Sequence, residues 1–337
     1  MHISAYLSQQ VWTQRGLVAC MLWPLTLLGR AWLFLNDLAF AKGWRQQTRL
    51  PVPVLVVGNV LAGGTGKTPI VIALATHFQG LGWRVGVIAR AYRTEDEAVT
   101  PVHPDSDALQ VGDEPLLIRQ RCQIPVFVGR QRAKAALALL KAHPQTQLII
   151  SDDGMQHQSL HHDLAVCVFD DRGTGNGWLL PAGPLREPWP RALKPGTRQH
   201  LVHTGTLPFG NSQPVQRQLG TTARNGWGEI RPLSDWQGQT VQALAAIARP
   251  APFFEALKQA GLVTQWCHAL PDHADLSNWK PSGEWPVFCT EKDAVKLWSH
   301  LPNAWAVPLE CSLPKPLLDE LAAEVQRLSS GHGQKIT

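Results

Sequence analysis

The stretch Val54-Leu55-Val56-Val57-Gly58-Asn59-Val60-Leu61-Ala62-Gly63-Gly64-Thr65-Gly66-Lys67-Thr68-Pro69 decides the fold. Pro53 to Val57 is an unbroken aliphatic, β-branched run, which reads as a parallel strand buried on both faces. Ile70 to Phe78 then reads as a helix. Strand, glycine-rich loop and helix form the context of a phosphate-binding loop. The glycines let backbone N–H groups turn toward an anion, and the helix N-terminus adds its positive dipole end. The strict pattern has a glycine six residues before the lysine, and here Leu61 stands there. The nucleotide-binding segment is therefore read as Leu61, Ala62, Gly63, Gly64, Thr65, Gly66, Lys67 and Thr68. Lys67 would reach the β- and γ-phosphates, and the Thr68 hydroxyl would bind Mg²⁺.

Working outward, Trp83 to Ala89 reads as a second strand. Gln147 to Ser151 reads as another, ending in Asp152 and Asp153. Acidic residues at a strand's carboxyl end are where this architecture holds nucleotide-bound Mg²⁺. Alternating strands and helices over residues 50–170 imply a doubly wound α/β fold with a parallel sheet. Residues 186–240, rich in Pro, Gly, Arg and Gln, read as linker, short strands and loops. A second, smaller α/β unit follows, with a strand at Trp285 to Thr290, an amphipathic helix at Leu317 to Leu328, and a frayed tail from Ser329. The expected organisation is an N-terminal apolar helical segment over 1–45, a phosphate-loop kinase domain over 46–200, and a C-terminal α/β domain with linker strands over 201–337.

The chain has 337 residues and a net charge of +5, which suits an anionic partner without choosing one. Its six cysteines are scattered without a C-x-x-C pair, as expected of buried thiols in a reducing compartment. Gly16 to Gly29 carries no charge. As a helix it would span about 21 Å, short of the roughly 30 Å hydrocarbon core. Arg30 and Asp37 argue against extending it as a span, Pro24 would kink it, and the same charges argue against a signal peptide cut after Ala39-Phe40-Ala41. A pair of helical segments on the membrane surface is expected instead. Trp12, Trp23, Trp32 and Trp44 would lie at headgroup level, with Arg15, Arg30, Lys42 and Arg45 near lipid phosphates. A helix packed on the core is the alternative.

The acceptor is harder to read. Thr290-Glu291-Lys292-Asp293 is a poor match to a guanine-reading motif. His157, His161 and His162, with Asp163 and Cys167 beyond them, match no standard zinc spacing. Asp113, in Gly112-Asp113-Glu114-Pro115, offers a carboxylate for a hydroxyl acceptor, or else a plain helix cap. A phosphate-loop ATPase serving as an assembly factor or metallochaperone, and a membrane-bound nucleotide sensor, also remain open.

GNVLAGGTGKTP, GDEP, Asp152 to His157 (DDGMQH), and Gly175 to Pro188 (GNGWLLPAGPLREP) occur in that order, followed by Pro271-Asp272-His273 and Thr290 to Asp293. The set resembles the tetraacyldisaccharide 4′-kinases, the lipid A 4′-kinases of Gram-negative bacteria, over nearly the whole chain. Leu61 is normal for that family. The resemblance implies two α/β/α domains joined by a two-stranded linker. It also implies transfer of the ATP γ-phosphate to the 4′-hydroxyl of tetraacyldisaccharide 1-phosphate, with Mg²⁺, peripherally at the cytoplasmic face of the inner membrane and without nucleic acid. By motif, Asp113 would take the acceptor proton and His273 would pair with it. Asp152, Asp153 and Glu187 would hold or orient Mg²⁺ along with Thr68, Arg186 would stabilise the transferring phosphoryl group, and Gln156 and His157 would line the cleft. The chain departs from the family at Arg90-Ala91-Tyr92-Arg93, where Arg-Gly-Tyr-Gly is usual, and at Ala274, where a second histidine is common.

Overall fold

A computed structural model describes residues 11–90, 98–190, 193 and 196–332. Val54–Gly58 (β1) is buried at all five positions, as its aliphatic run requires. It lies in the middle of an eight-stranded sheet ordered β3-β4-β2-β5-β1-β6-β7-β8. The other strands are Val85–Ala89 (β2), Thr100–Pro101 (β3), Val126–Val128 (β4), Leu148–Asp152 (β5), Leu164–Phe169 (β6), Arg198–His203 (β7) and Gln213–Pro214 (β8). All neighbours run parallel except β3 against β4. Val57 of β1 is in register with Asp152 of β5. The chain leaves β1 into the glycine loop at the same edge where β5 delivers its aspartates, the edge at which such sheets bind ligands.

The expected helix after the loop runs Lys67–Gly80 (α2, following an N-terminal α1 described below). Gly66 before it has φ of 76°, a left-handed turn that glycine adopts without steric cost. Ala108–Val111 (α3), Asp113–Cys122 (α4) and Arg132–Ala142 (α5) follow. A second, six-stranded sheet is ordered β11-β10-β15-β14-β12-β13. It comprises Thr222–Arg224 (β10), Ile230–Pro232 (β11), Thr240–Ala245 (β12), Val263–Ala269 (β13), Val287–Thr290 (β14) and Trp305–Val307 (β15), with Ala251–Gln259 (α6) and Glu291–Leu297 (α7). The two sheets are joined through an antiparallel pair, Gln216–Leu219 (β9) and Leu309–Ser312 (β16). The final helix, Lys315–His332 (α8), returns to the large sheet, and its Leu317, Leu321 and Val325 are buried in the same core as β1 and α2.

Several expectations are corrected. Among the described residues, Leu17–Ala41 (α1) is one continuous helix that runs through Pro24. At 25 residues it is about 37 Å long, so the shortness that argued against a span does not hold, whereas Arg30 and Asp37 remain within it. Leu17, Met21, Leu28, Trp32, Phe34 and Leu35 are exposed, so most of this helix is not a core element. Trp12 and Arg15 face the protein: the Trp12 indole donates to the Pro181 carbonyl (3.1 Å), and Arg15 donates to the Asn176 carbonyl (3.0 Å). Ser329 continues α8 rather than starting a frayed tail. β7, one of the short strands expected over residues 186–240, is an inner strand of the large sheet and not part of a linker. Two of the six cysteines, Cys20 and Cys267, are exposed. Ala91-Tyr92-Arg93 lies outside the described residues.

Leu61 has a structural explanation. Its side chain is fully buried in a cluster with Val56, Val60, Met155 and Leu185, and its backbone bridges Leu185. The loop is thus anchored at its start by an apolar side chain that glycine could not supply. Leu61→Gly, which would restore the strict pattern, should cost about 3–5 kcal/mol through the cavity and the added chain entropy. Denaturant unfolding checks this, and an unchanged midpoint would contradict it.

Candidate active site

The loop's backbone divides into an anchored part and a free part. The Ala62 N–H donates to the Pro184 carbonyl (2.8 Å), so it does not face the anion position. Arg172 donates to the carbonyls of Ala62 (3.2 Å) and Gly64 (3.1 Å), and the Thr204 hydroxyl donates to that of Thr65 (3.2 Å). Holding carbonyls from outside favours N–H groups turned inward along Gly63 to Thr68. Arg172 is itself fixed by Asp170, at 2.8 Å. None of these holding residues carries a sequence motif; only their position after β6 and β7 would have suggested them.

Lys67 lies 3.4 Å from Asp153 Oδ1 and donates to Asn59 Oδ1 (3.3 Å). Asp153 also pairs with Arg186 at 3.1 Å. Burial would raise the Asp153 pKa, but Lys67 and Arg186 together lower it below the usual carboxylate range. Asp152 is buried, and burial raises its pKa, with Glu114 adding to the rise and Lys67 opposing it. Gln156 donates to Glu187 Oε1 (2.6 Å) and to the Asn59 carbonyl (3.0 Å), which ties the DDGMQH turn to the PAGPLREP segment. His157 lies in the same turn. Burial first, then the Arg132 and Arg90 charges, lower its pKa to about 4. The fully buried Arg132 donates to the Asp152 carbonyl at 3.0 Å and supports the end of β5, a contact not readable from sequence.

A second cluster forms at the start of α4. Gly112, not Asp113, is the cap residue, although Asp113 Oδ1 accepts from the first-turn Glu114 N–H (3.0 Å). The Asp113 carboxylate, 5 % exposed, faces His273 Nδ1 at 3.1 and 3.2 Å. Lys296 lies 3.4 Å and Lys292 4.0 Å from it. Burial alone would raise the Asp113 pKa, but the His273 hydrogen bond and the two lysines hold it far below the usual range. His273 is raised by its bond to Asp113, against burial and the Lys292 charge. Because Glu114, next to Asp113, acts electrostatically on Asp152, the two clusters share one field.

The supposed guanine motif divides between structure and site. Asp293 is fully buried and accepts from the Ala246 N–H (3.0 Å) and the Thr290 hydroxyl (2.6 Å), while Lys292 points to the Asp113 cluster. The histidine cluster also has a structural use: His161 lies 3.4 Å from Asp163, whose other oxygen accepts the Val54 N–H that opens β1.

A family profile described as Tetraacyldisaccharide-1-P 4′-kinase matches residues 18–326. The chain belongs to the tetraacyldisaccharide-1-P 4′-kinase family. It is 49% identical over 326 residues to the tetraacyldisaccharide 4′-kinase of Acidovorax sp. (strain JS42), covering 95% of each chain. It is 44% identical to that of Delftia acidovorans (strain DSM 14801 / SPH-1), covering 94% of each. Among solved structures, LpxK from Aquifex aeolicus in complex with ATP superimposes with a TM-score of 0.78 at 27% identity, over 92% of this chain and 99% of that one. The protein is therefore a kinase with a phosphate-loop α/β fold, and nothing in these matches favours an assembly factor or a nucleotide sensor. In a kinase of this family, a histidine held neutral beside the paired aspartates can accept or donate a hydrogen bond without adding charge. His157 should therefore stay unprotonated on acidification until about pH 4. An NMR titration of its ring nitrogens checks this; a midpoint near the ordinary histidine value would contradict it.

Proposed function

We propose that the protein transfers the γ-phosphate of ATP to the 4′-hydroxyl of tetraacyldisaccharide 1-phosphate, working peripherally at the cytoplasmic face of the inner membrane. The observation that carries this reading is the buried Asp113–His273 pair. It supplies an ionised carboxylate that can orient and deprotonate an acceptor hydroxyl, in a chain of the tetraacyldisaccharide-1-P 4′-kinase family. Gly63 to Thr68 would receive the phosphates. Lys67, now paired with Asp153, would exchange that partner for phosphate oxygens.

Mg²⁺ fits the residues present. Asp152 Oδ1 is buried and has no hydrogen-bond partner among the described residues, and hard carboxylate and hydroxyl oxygens suit this ion. Asp152, Asp153, Glu187 and the Thr68 hydroxyl would hold or orient it. Bound there, Mg²⁺ would neutralise charge on the β- and γ-phosphates. Arg186 would stabilise the equatorial oxygens of the transferring group, and Gln156 and His157 would line the acceptor's path. Asp113 is a weak base, which suits a loose transition state in which the hydroxyl proton leaves late. Its task is to orient that hydroxyl and accept the proton as the new P–O bond forms and the bond from the γ-phosphorus to the departing ADP oxygen breaks. His273, bonded to the carboxylate through Nδ1, holds it in place and sets its basicity.

As functional units, residues 46–200 grip the nucleotide and the strands after 220 face the acceptor. The last helix goes with the nucleotide unit, on whose core it packs. Exposed apolar side chains of α1, together with Arg30, Lys42 and Arg45, support membrane contact by residues 1–45.

Asp113→Asn should lower kcat by about 10²–10⁴-fold, with ATP affinity near wild type. Steady-state transfer kinetics and nucleotide binding check this, and an effect confined to KM would remove the base role. Deleting residues 1–45 should move a folded protein from the membrane to the soluble fraction; unchanged partitioning would remove the anchor.

A further inference from the structure

Lys292 makes three polar contacts at the junction of the two sheets. Its ammonium donates to Glu114 Oε1 (2.9 Å), to Asp272 Oδ1 (3.1 Å), and lies 3.3 Å from His273 Nε2. Glu114 follows Asp113 on α4, packed on the large sheet, while Asp272 precedes His273 on the second-sheet side. One cation therefore links the neighbours of both members of the pair. An ammonium has donors only, so at 3.3 Å the His273 Nε2 must be the acceptor. That leaves the ring proton on Nδ1, where it is donated to Asp113 at 3.1 Å. The other tautomer would set an N–H against an ammonium and a lone pair against a carboxylate. His273 has φ of 60°, a conformation costly for a non-glycine residue and one that needs its surroundings to hold it.

We propose that Lys292 is a positioning residue of the transfer reaction, fixing His273 in the Nδ1–H tautomer and tying the Asp113–His273 pair together across the two sheets. The proposal rests on Asp113 acting as the base. The charged groups around the imidazole are Asp113 and Glu114 of α4, Asp272 beside it, and Lys292, Lys296 and the buried Asp293 of α7. The Lys292 charge opposes protonation of His273, whereas Asp113 and Asp272 favour it. Removing the lysine therefore raises the His273 pKa. A doubly protonated ring holds the Asp113 carboxylate more strongly as an anion and so weakens it as a base, and the acid limb of the kcat–pH profile must move to higher pH.

The test is lipid phosphorylation by the full-length protein in detergent, with kcat and the KM for ATP followed across pH. Lys292→Met is expected to lower kcat by about 10–100-fold, as for lost outer-layer partners, with the KM for ATP near wild type. Its acid limb should rise by about one pH unit. Lys292→Arg, which keeps a cation and N–H donors, should restore most of both. A Met variant with wild-type kcat and acid limb overturns the proposal, as does a loss uniform across pH that Arg does not relieve. If the Met variant does not melt cooperatively, Lys292→Gln is read instead: an upward-shifted limb supports the proposal and an unmoved limb overturns it. Asp113→Asn in the same assay separates the two claims. Near-normal turnover of that variant defeats the base reading, whereas an inactive Asn variant beside a wild-type Lys292→Met defeats only the role of Lys292.

Discussion

A strand buried on both faces can present chemistry only at its ends, and β1 is such a strand. Its five buried residues leave no side chain free for a ligand, so the chain's first polar opportunity is the loop that begins at Gly58. Even that position is tight, since a side chain there would meet Met155 at 2.5 Å. Register then does the rest. Pairing Val57 with Asp152 brings an acidic turn beside the loop, and the parallel order β5-β1-β6 brings Asp170, with its Arg172, to the other side. The phosphate grip, the candidate metal carboxylates and the outer supports of the loop all follow from where one strand sits.

Electrostatics at that edge is arranged in pairs that ligands can reorganise. Lys67 and Arg186 share Asp153, and Lys292 and Lys296 surround Asp113. An incoming triphosphate would compete for Lys67 and Arg186, which pair with Asp153 beside the loop, whereas Lys292 and Lys296 are tied to the carboxylates around Asp113. The first pair is thus suited to binding and the second to holding a carboxylate ionised. Since the second set of cations comes from α7 and its carboxylate from α4, the chemistry depends on both sheets staying in contact.

Much of this was legible in the sequence, and what was not has identifiable causes. β1, α2 and β5 announce themselves because burial on both faces demands an unbroken aliphatic run. β7 does not, because Arg198 is exposed and Gln199 and His200 are half-buried, with His200 and Arg198 meeting Glu324 of the returning α8. Polar residues in a sheet look like a linker when their partners lie more than a hundred residues away. Pro24 reads as a kink, yet a proline removes one hydrogen bond and need not end a helix whose remaining turns persist. Asp113 and His273 could be named by motif, but the lysines that set their state could not. The TEKD stretch is legible as a motif, but nothing in it by itself points to Glu114 or Asp272.

The central claim is that the phosphate loop and the Asp113 pair form one phosphoryl-transfer site rather than a hydrolytic one. A single-turnover reaction with ATP labelled at the γ-phosphate, Mg²⁺ and the tetraacyl disaccharide 1-phosphate in detergent tests it most directly. The account predicts that the label appears in the lipid in step with ADP formation. Stoichiometric free phosphate with no labelled lipid would contradict it.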